Sequence, residues 1–192
     1  MENNSPNDLL SFRQHLEKYT KLTDREFMSI MNYFSFRKAK RKEKLIKAGD
    51  RVKETYWVKS GFLFSSLTDH EGKEHIVQFA IENCWITDQN AFYNQEKATY
   101  DIACLEASEL LCITFENRER LCSDHPSMAH FFRKKANDSF VKQQKRLLTY
   151  LTANAKERLD LLADEYPGIL QRVSRKALAA YLGITRETLS RL

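Results

Sequence analysis

The chain has 192 residues, 42% of them apolar and 30% charged, enough for one large domain or two small ones. Five glycines and three prolines exclude a collagen-like or low-complexity polymer. Thirty-one basic against 26 acidic residues give a net charge of +5, a mild bias towards a polyanionic partner. No apolar run approaches the roughly 18 residues of a membrane span. The opening MENNSPNDLL lacks the basic-then-apolar plan of a signal peptide, so a cytoplasmic protein with no membrane partner is expected.

Residues 7–34 read as helical. Thr23 followed three places later by Glu26 has the form of a capping box, with Phe27, Ile30, Met31 and Phe34 at helical spacing behind it. From about Phe36 to Phe115 the period shortens. Apolar pairs such as Leu45-Ile46, Tyr56/Val58 and Phe62/Phe64 alternate with turn sequences at Ala48-Gly49-Asp50, Ser60-Gly61 and Asp69-His70-Glu71-Gly72. Short strands with a turn every 8–12 residues or so predict a β-barrel, jelly roll or sandwich. The basic run Arg37–Lys44 reads as a solvated edge strand guarded by lysines, with a nucleic-acid patch as the alternative.

From about Ser123 onward the pattern is helical. After His125-Pro126, the residues Met128, Phe131, Phe132, Phe140, Leu147, Leu148 and Leu151 form one rough apolar stripe. So long a helix is expected to pair with its copy in a dimer; the alternative is a helix packed on its own barrel. A second helix spans Asn154 to Tyr166 and stops at Pro167-Gly168.

Cys84, Cys104, Cys112 and Cys122 are spaced by 20, 8 and 10 residues, and no pair has the CxxC spacing of a zinc or iron–sulfur site. They read as reduced thiols, those at 104 and 112 as core residues. His70 and His75 lie five residues apart across a turn and lack a third ligand, so no metal and no enzyme is expected.

The strongest local signal is Arg175 to Leu192, read as helix, turn, helix. Leu178 and Leu182 bury the first helix, Ala179 is small where the second must cross, and Gly183 can take the positive φ of the turn. Ile184 plugs the angle, Thr185 caps the second helix, and Leu189 and Leu192 are expected to face the core. The open face carries Arg186, Glu187, Ser190 and Arg191, which with Thr185 and Arg175 make up the candidate DNA-contacting residues. Arginine can pair with guanine O6 and N7 and glutamate can accept from cytosine N4, so these types suit a DNA groove. Arg175 and the neighbouring bases Arg172 and Lys176 are candidates for phosphate contacts.

With Leu178-Ala-Ala-Tyr-Leu-Gly-Ile-Thr-Arg-Glu-Thr-Leu-Ser-Arg191 behind it, and with turns at Ile46–Asp50, Val58–Gly61 and Asp69–Glu74, the chain resembles the Crp/Fnr family of bacterial transcription regulators. The resemblance implies an α+β architecture: an N-terminal helix and antiparallel β-roll (double-stranded β-helix), a long dimerisation helix, and a C-terminal helix-turn-helix. It places a cyclic-nucleotide-binding-like sensor at 1–120, the dimer helix at 121–152 and the DNA-binding domain at 153–192. It implies a homodimer on a pseudo-palindromic duplex, with RNA polymerase as a further candidate partner. A ligand at the roll would act by shifting the dimer helices and hence the spacing of the recognition helices.

The effector pocket departs from the family pattern, which carries Phe-Gly-Glu and then Arg-Ser or Arg-Thr about ten residues later. Here Thr87 and Asp88 stand for the Gly-Glu pair, and Lys97 and Ala98 for the arginine and hydroxyl. The carboxylate is shorter, the bidentate fork has become a point charge and a donor is lost. A cyclic nucleotide is therefore disfavoured and no cofactor is assigned. Gln143 and Gln144 fall where the family's long helix faces the base. Thr185 to Leu192 gives only about two turns of recognition helix, fewer than family members usually have. The competing reading is a metabolite sensor with a vestigial helix-turn-helix.

Overall fold

The computed structural model describes residues 9–192; residues 7 and 8 of the expected first helix lie outside them. The N-terminal helical region is two helices, α1 (Leu10–Glu17) and α2 (Asp24–Met31). The break falls where Thr23 starts a new helix. Its hydroxyl accepts from the Glu26 amide and the Glu26 carboxylate accepts from the Thr23 amide, the reciprocal capping box expected from the sequence.

Eight strands follow in two four-stranded sheets. These are β1 (Ser35–Ala39), β2 (Lys44–Ile46), β3 (Glu54–Ser60), β4 (Leu63–Thr68), β5 (Glu74–Ala80), β6 (Trp85–Ile86), β7 (Asp101–Cys104) and β8 (Ser108–Thr114). The sheet orders are β1-β8-β3-β6 and β2-β7-β4-β5, antiparallel at every pairing for which a register is defined. The basic run Arg37–Lys44 is not one edge strand, a correction to the expectation: it covers the end of β1, the turn at 40–43 and the first residue of β2, and β1 and β2 are each the edge strand of a different sheet. A short helix, α3 (Gln89–Asn94), interrupts the strands between β6 and β7. Helices α4 (Phe115–Asp124), α5 (Pro126–Thr152), α6 (Ala155–Glu165), α7 (Ile169–Arg172), α8 (Arg175–Leu182) and α9 (Arg186–Leu189) complete the chain. The helical region thus begins at Phe115, earlier than Ser123, because the Thr114 hydroxyl caps α4 by accepting from the Asn117 amide.

The chain divides into two compact units. The first comprises residues up to Ser65 and Phe79–Lys135; the second comprises the hairpin segment Ser66–Gln78 and Ala136–Leu192.

The first unit has two apolar clusters, separated by the alternation of side chains on β3 and β8. Tyr56, Val58, Leu110 and Cys112 point into the roll with Ile46, Ile86, Phe92 and Ile102. Their neighbours Trp57, Leu111 and Ile113 point the other way, against Phe12, Leu16, Phe27 and Ile30 of the N-terminal helices and Met128 and Phe131 of α5. This two-sided burial explains why Tyr56, Trp57 and Val58 stand in sequence on β3 without a polar residue between them. The His15 ring is packed in the second cluster, where its Nε2 accepts from the Trp85 indole at 3.0 Å. Burial pushes its pKa down to about 3.

In the second unit Asn154 and Glu157 form another capping box at the start of α6. The tip of the β4–β5 hairpin is organised by Asp69, whose carboxylate accepts from the amides of Glu71 and Lys73 and lies 2.6 Å from His75.

Candidate functional site

The helix-turn-helix is built by caps. The Ser174 hydroxyl accepts from the Ala177 amide and starts α8. Leu178, Ala179 and Leu182 are buried on one face. Gly183 ends the helix at φ +70°, its amide donating to the Ala179 carbonyl. A Cβ there would lie 2.9 Å from the Tyr150 hydroxyl, so the turn needs glycine for both backbone and space. The Thr185 hydroxyl then accepts from the Thr188 amide at 3.2 Å and opens α9.

This leaves Arg186, Glu187, Ser190 and Arg191 exposed, as the groove-facing assignment needs. The Glu187 carboxyl is held below the usual carboxylate range by its own backbone amide and by the Thr185 hydroxyl, so it is an ionised acceptor at neutral pH. Arg175 reaches across to the Ser190 hydroxyl at 3.4 Å, tying the first turn of α8 to the end of α9. The Ser190 hydroxyl in turn donates to the Arg186 carbonyl. Leu189 is half-buried, but Leu192 is 44% exposed, which corrects the expectation that it faces the core. It lies beyond the four helical residues of α9, past the reach of the packed face.

Of the residues expected at the effector pocket, Thr87, Asp88 and Ala98 are buried, whereas Lys97, Gln143 and Gln144 are exposed. Asp88 is the N-cap of α3 and is 1% exposed. One carboxylate oxygen accepts from the Ala91 amide at 3.1 Å; the other accepts from the Thr99 amide at 2.8 Å and its hydroxyl at 2.6 Å. The buried Thr87 hydroxyl donates to the Glu54 carbonyl, and Tyr100 donates to the Thr87 carbonyl. Ala98 is buried, with backbone bonds to Gly49 and Asp50. Lys97 is exposed, its backbone bridged to Arg51. Gln143 and Gln144 are exposed on α5, in the second unit. The sequence reading missed Thr99, the partner that occupies Asp88. The available signal was an Asp at an N-cap position three residues before Ala91. A cavity of about 350 Å³ in the first unit is lined by Arg37, Asp50, Arg51, Lys53, Glu54 and Tyr56 among others, and Glu54, Arg51 and Asp50 are the backbone partners of Thr87, Lys97 and Ala98.

The stripe on α5 divides. Met128, Phe131 and Phe132 are buried in the chain's own outer cluster, so these three do not present a dimer surface, a correction to the single-stripe expectation. Their burial bears out the packed-helix alternative for the start of α5. Phe140, Leu147, Leu148 and Leu151 are each about 60–70% exposed. A 3.6-residue period marks both stretches equally and does not say which partner covers them.

All four cysteines are free thiols; Cys104 and Cys112 are buried, and burial pushes the Cys112 thiol up to about 12. No group of three metal-ligating side chains occurs among the described residues. Among them, no helix is long and apolar enough to cross a membrane.

Comparison with known proteins gives a consistent picture. Residues 36–125 match the cyclic nucleotide-binding domain and residues 172–192 match the crp family of bacterial regulatory proteins. The chain is 26% identical over 183 residues to the regulatory protein HlyX of Actinobacillus pleuropneumoniae, covering 89% of this chain and 75% of that protein. It is 28% identical over 159 residues to the fumarate and nitrate reduction regulatory protein of Yersinia pestis, covering 77% and 63%. The fold resembles the c-di-GMP responsive regulator CLP of Xanthomonas campestris, with a TM-score of 0.70 at 15% identity over 86% of this chain and 87% of that one.

Proposed function

We infer that this chain, a member of the Crp/Fnr family of bacterial transcriptional regulators, binds duplex DNA through α9 and does so without a cyclic nucleotide. Regulators of this family bind DNA and function as dimers. The observation that carries the DNA reading is the capped helix-turn-helix, whose open face presents Arg186, Glu187, Ser190 and Arg191. Arg186 and Arg191 supply forks for guanine, Glu187 an ionised acceptor for cytosine, and Lys176 a cation for a phosphate. Two such helices in a dimer call for half-sites about one DNA turn apart, roughly 34 Å. The exposed Phe140, Leu147, Leu148 and Leu151 of α5 offer the surface for the second copy. Independence from cyclic nucleotide rests on Asp88, whose two oxygens are already occupied by Ala91 and Thr99. Opening that site for a ribose would break three hydrogen bonds around a buried carboxylate. A contact with RNA polymerase is part of the same reading.

Titration of matched and base-substituted duplexes tests the groove assignment. Arg186→Ala is expected to cost about 1–3 kcal/mol on the best site and to relax discrimination at one base pair per half-site. Undiminished discrimination in that variant would take α9 out of the groove.

A further inference from the structure

Two contacts in the second unit join the β4–β5 hairpin to the helices that follow. Glu74, the first residue of β5, lies 3.5 Å from the ammonium of Lys176 in the first turn of α8. Two residues along the same strand, the Ile76 carbonyl accepts from the Arg146 guanidinium at 3.2 Å. That guanidinium also lies 4.1 Å from the centroid of the Tyr181 ring on α8. Arg146 therefore touches the hairpin with its donors and the helix-turn-helix with its face.

We propose that the hairpin is an autoinhibitory latch: Glu74 occupies Lys176, a phosphate-contacting cation of the helix-turn-helix, and Arg146 holds the latch in place. The proposal rests on the DNA-binding reading of α8 and α9. Its chemistry is a competition of two anions for one ammonium group. Because the ion pair is largely exposed, with side chains 70% and 36% accessible, it is weak enough for a DNA phosphate to displace. Breaking it frees one cation for the duplex, and the cost of breaking it is what lowers the native protein's affinity at low salt. Arg146 acts through the hairpin and through Tyr181 and is a positioning residue.

The test has two readouts on the full chain. Without DNA, amide hydrogen exchange over residues 66–78 is compared between the native protein and Arg146→Met. Faster exchange in the variant supports the latch, and unchanged exchange overturns it whatever the DNA result. With DNA, a duplex of random sequence is titrated at several salt concentrations. Glu74→Gln is expected to bind about two- to fivefold more tightly at low salt, a gain that shrinks as added salt screens the ion pair in the native protein. In a Lys176→Gln background the same substitution should leave the affinity unchanged. A gain that persists in that background reports general loss of negative charge and overturns the pairing. Absence of duplex binding in every variant overturns the DNA reading, and the proposal with it.

Discussion

Single residues carry meanings here that their type alone does not reveal. Asp88 reads in the sequence as a carboxylate for a ribose, yet the fold uses it as a helix cap with Thr99 as second partner. A residue's type was legible; its partner eleven positions away was not. His15 is the converse case, with no sequence signal to set it apart. It is 3% exposed, its Nε2 accepts from Trp85, and its Nδ1 is buried without a hydrogen-bond partner among the described residues. The folded state therefore resists protonating it, with a pKa near 3 against an ordinary 6.5. A histidine pKa depressed by folding means that the unfolded chain binds the extra proton. The stabilisation is complete above about pH 6.5 and is withdrawn as pH falls towards 3. His15→Gln, which keeps an acceptor for Trp85, should flatten the fall of unfolding free energy across that window, measured by denaturant titration at successive pH values. An unchanged slope would mean that His15 protonates freely in the folded state.

At the scale of elements, caps and turn glycines were the most readable features. The Thr23–Glu26 box, the helix from Asn154, the Gly183 turn and the Thr185 cap all form where residue spacing puts them, because each depends on contacts within four residues. The helix α3 was not readable, since six residues are too few for a period to register. The two fates of the α5 stripe were also hidden, because they depend on N-terminal helices a hundred residues earlier in the chain. The turn at Gly183 makes a sharp prediction. Gly183→Ala imposes a side chain at φ +70° and pushes its Cβ against the Tyr150 ring. The backbone part alone should cost about 1–2 kcal/mol, read as a loss of unfolding free energy. Adding Tyr150→Ala should restore only the steric part. A full recovery would show that backbone conformation contributes nothing at this position.

At the scale of the molecule, the account depends on assembly. Exposed Leu147 and Leu148 would be an aggregation liability on a monomer, and the proposed dimer puts them at the centre of a two-fold helix pair. Replacing both by Asp should leave helix content unchanged, since neither packs in the core. It should convert a dimer into a monomer by sedimentation velocity and abolish tight binding to two-half-site DNA. A dimer that survives the double substitution would place the interface elsewhere.

The most direct test of the central claim is selection of bound duplexes from a random pool by the purified protein, with and without cyclic AMP. The account predicts enrichment of one two-fold symmetric site without any added ligand, its half-sites about one helical turn apart, and the same site at the same strength when the nucleotide is present. Enrichment that appears only with cyclic AMP would contradict it, because Asp88 would then have to give up Thr99 for the ligand.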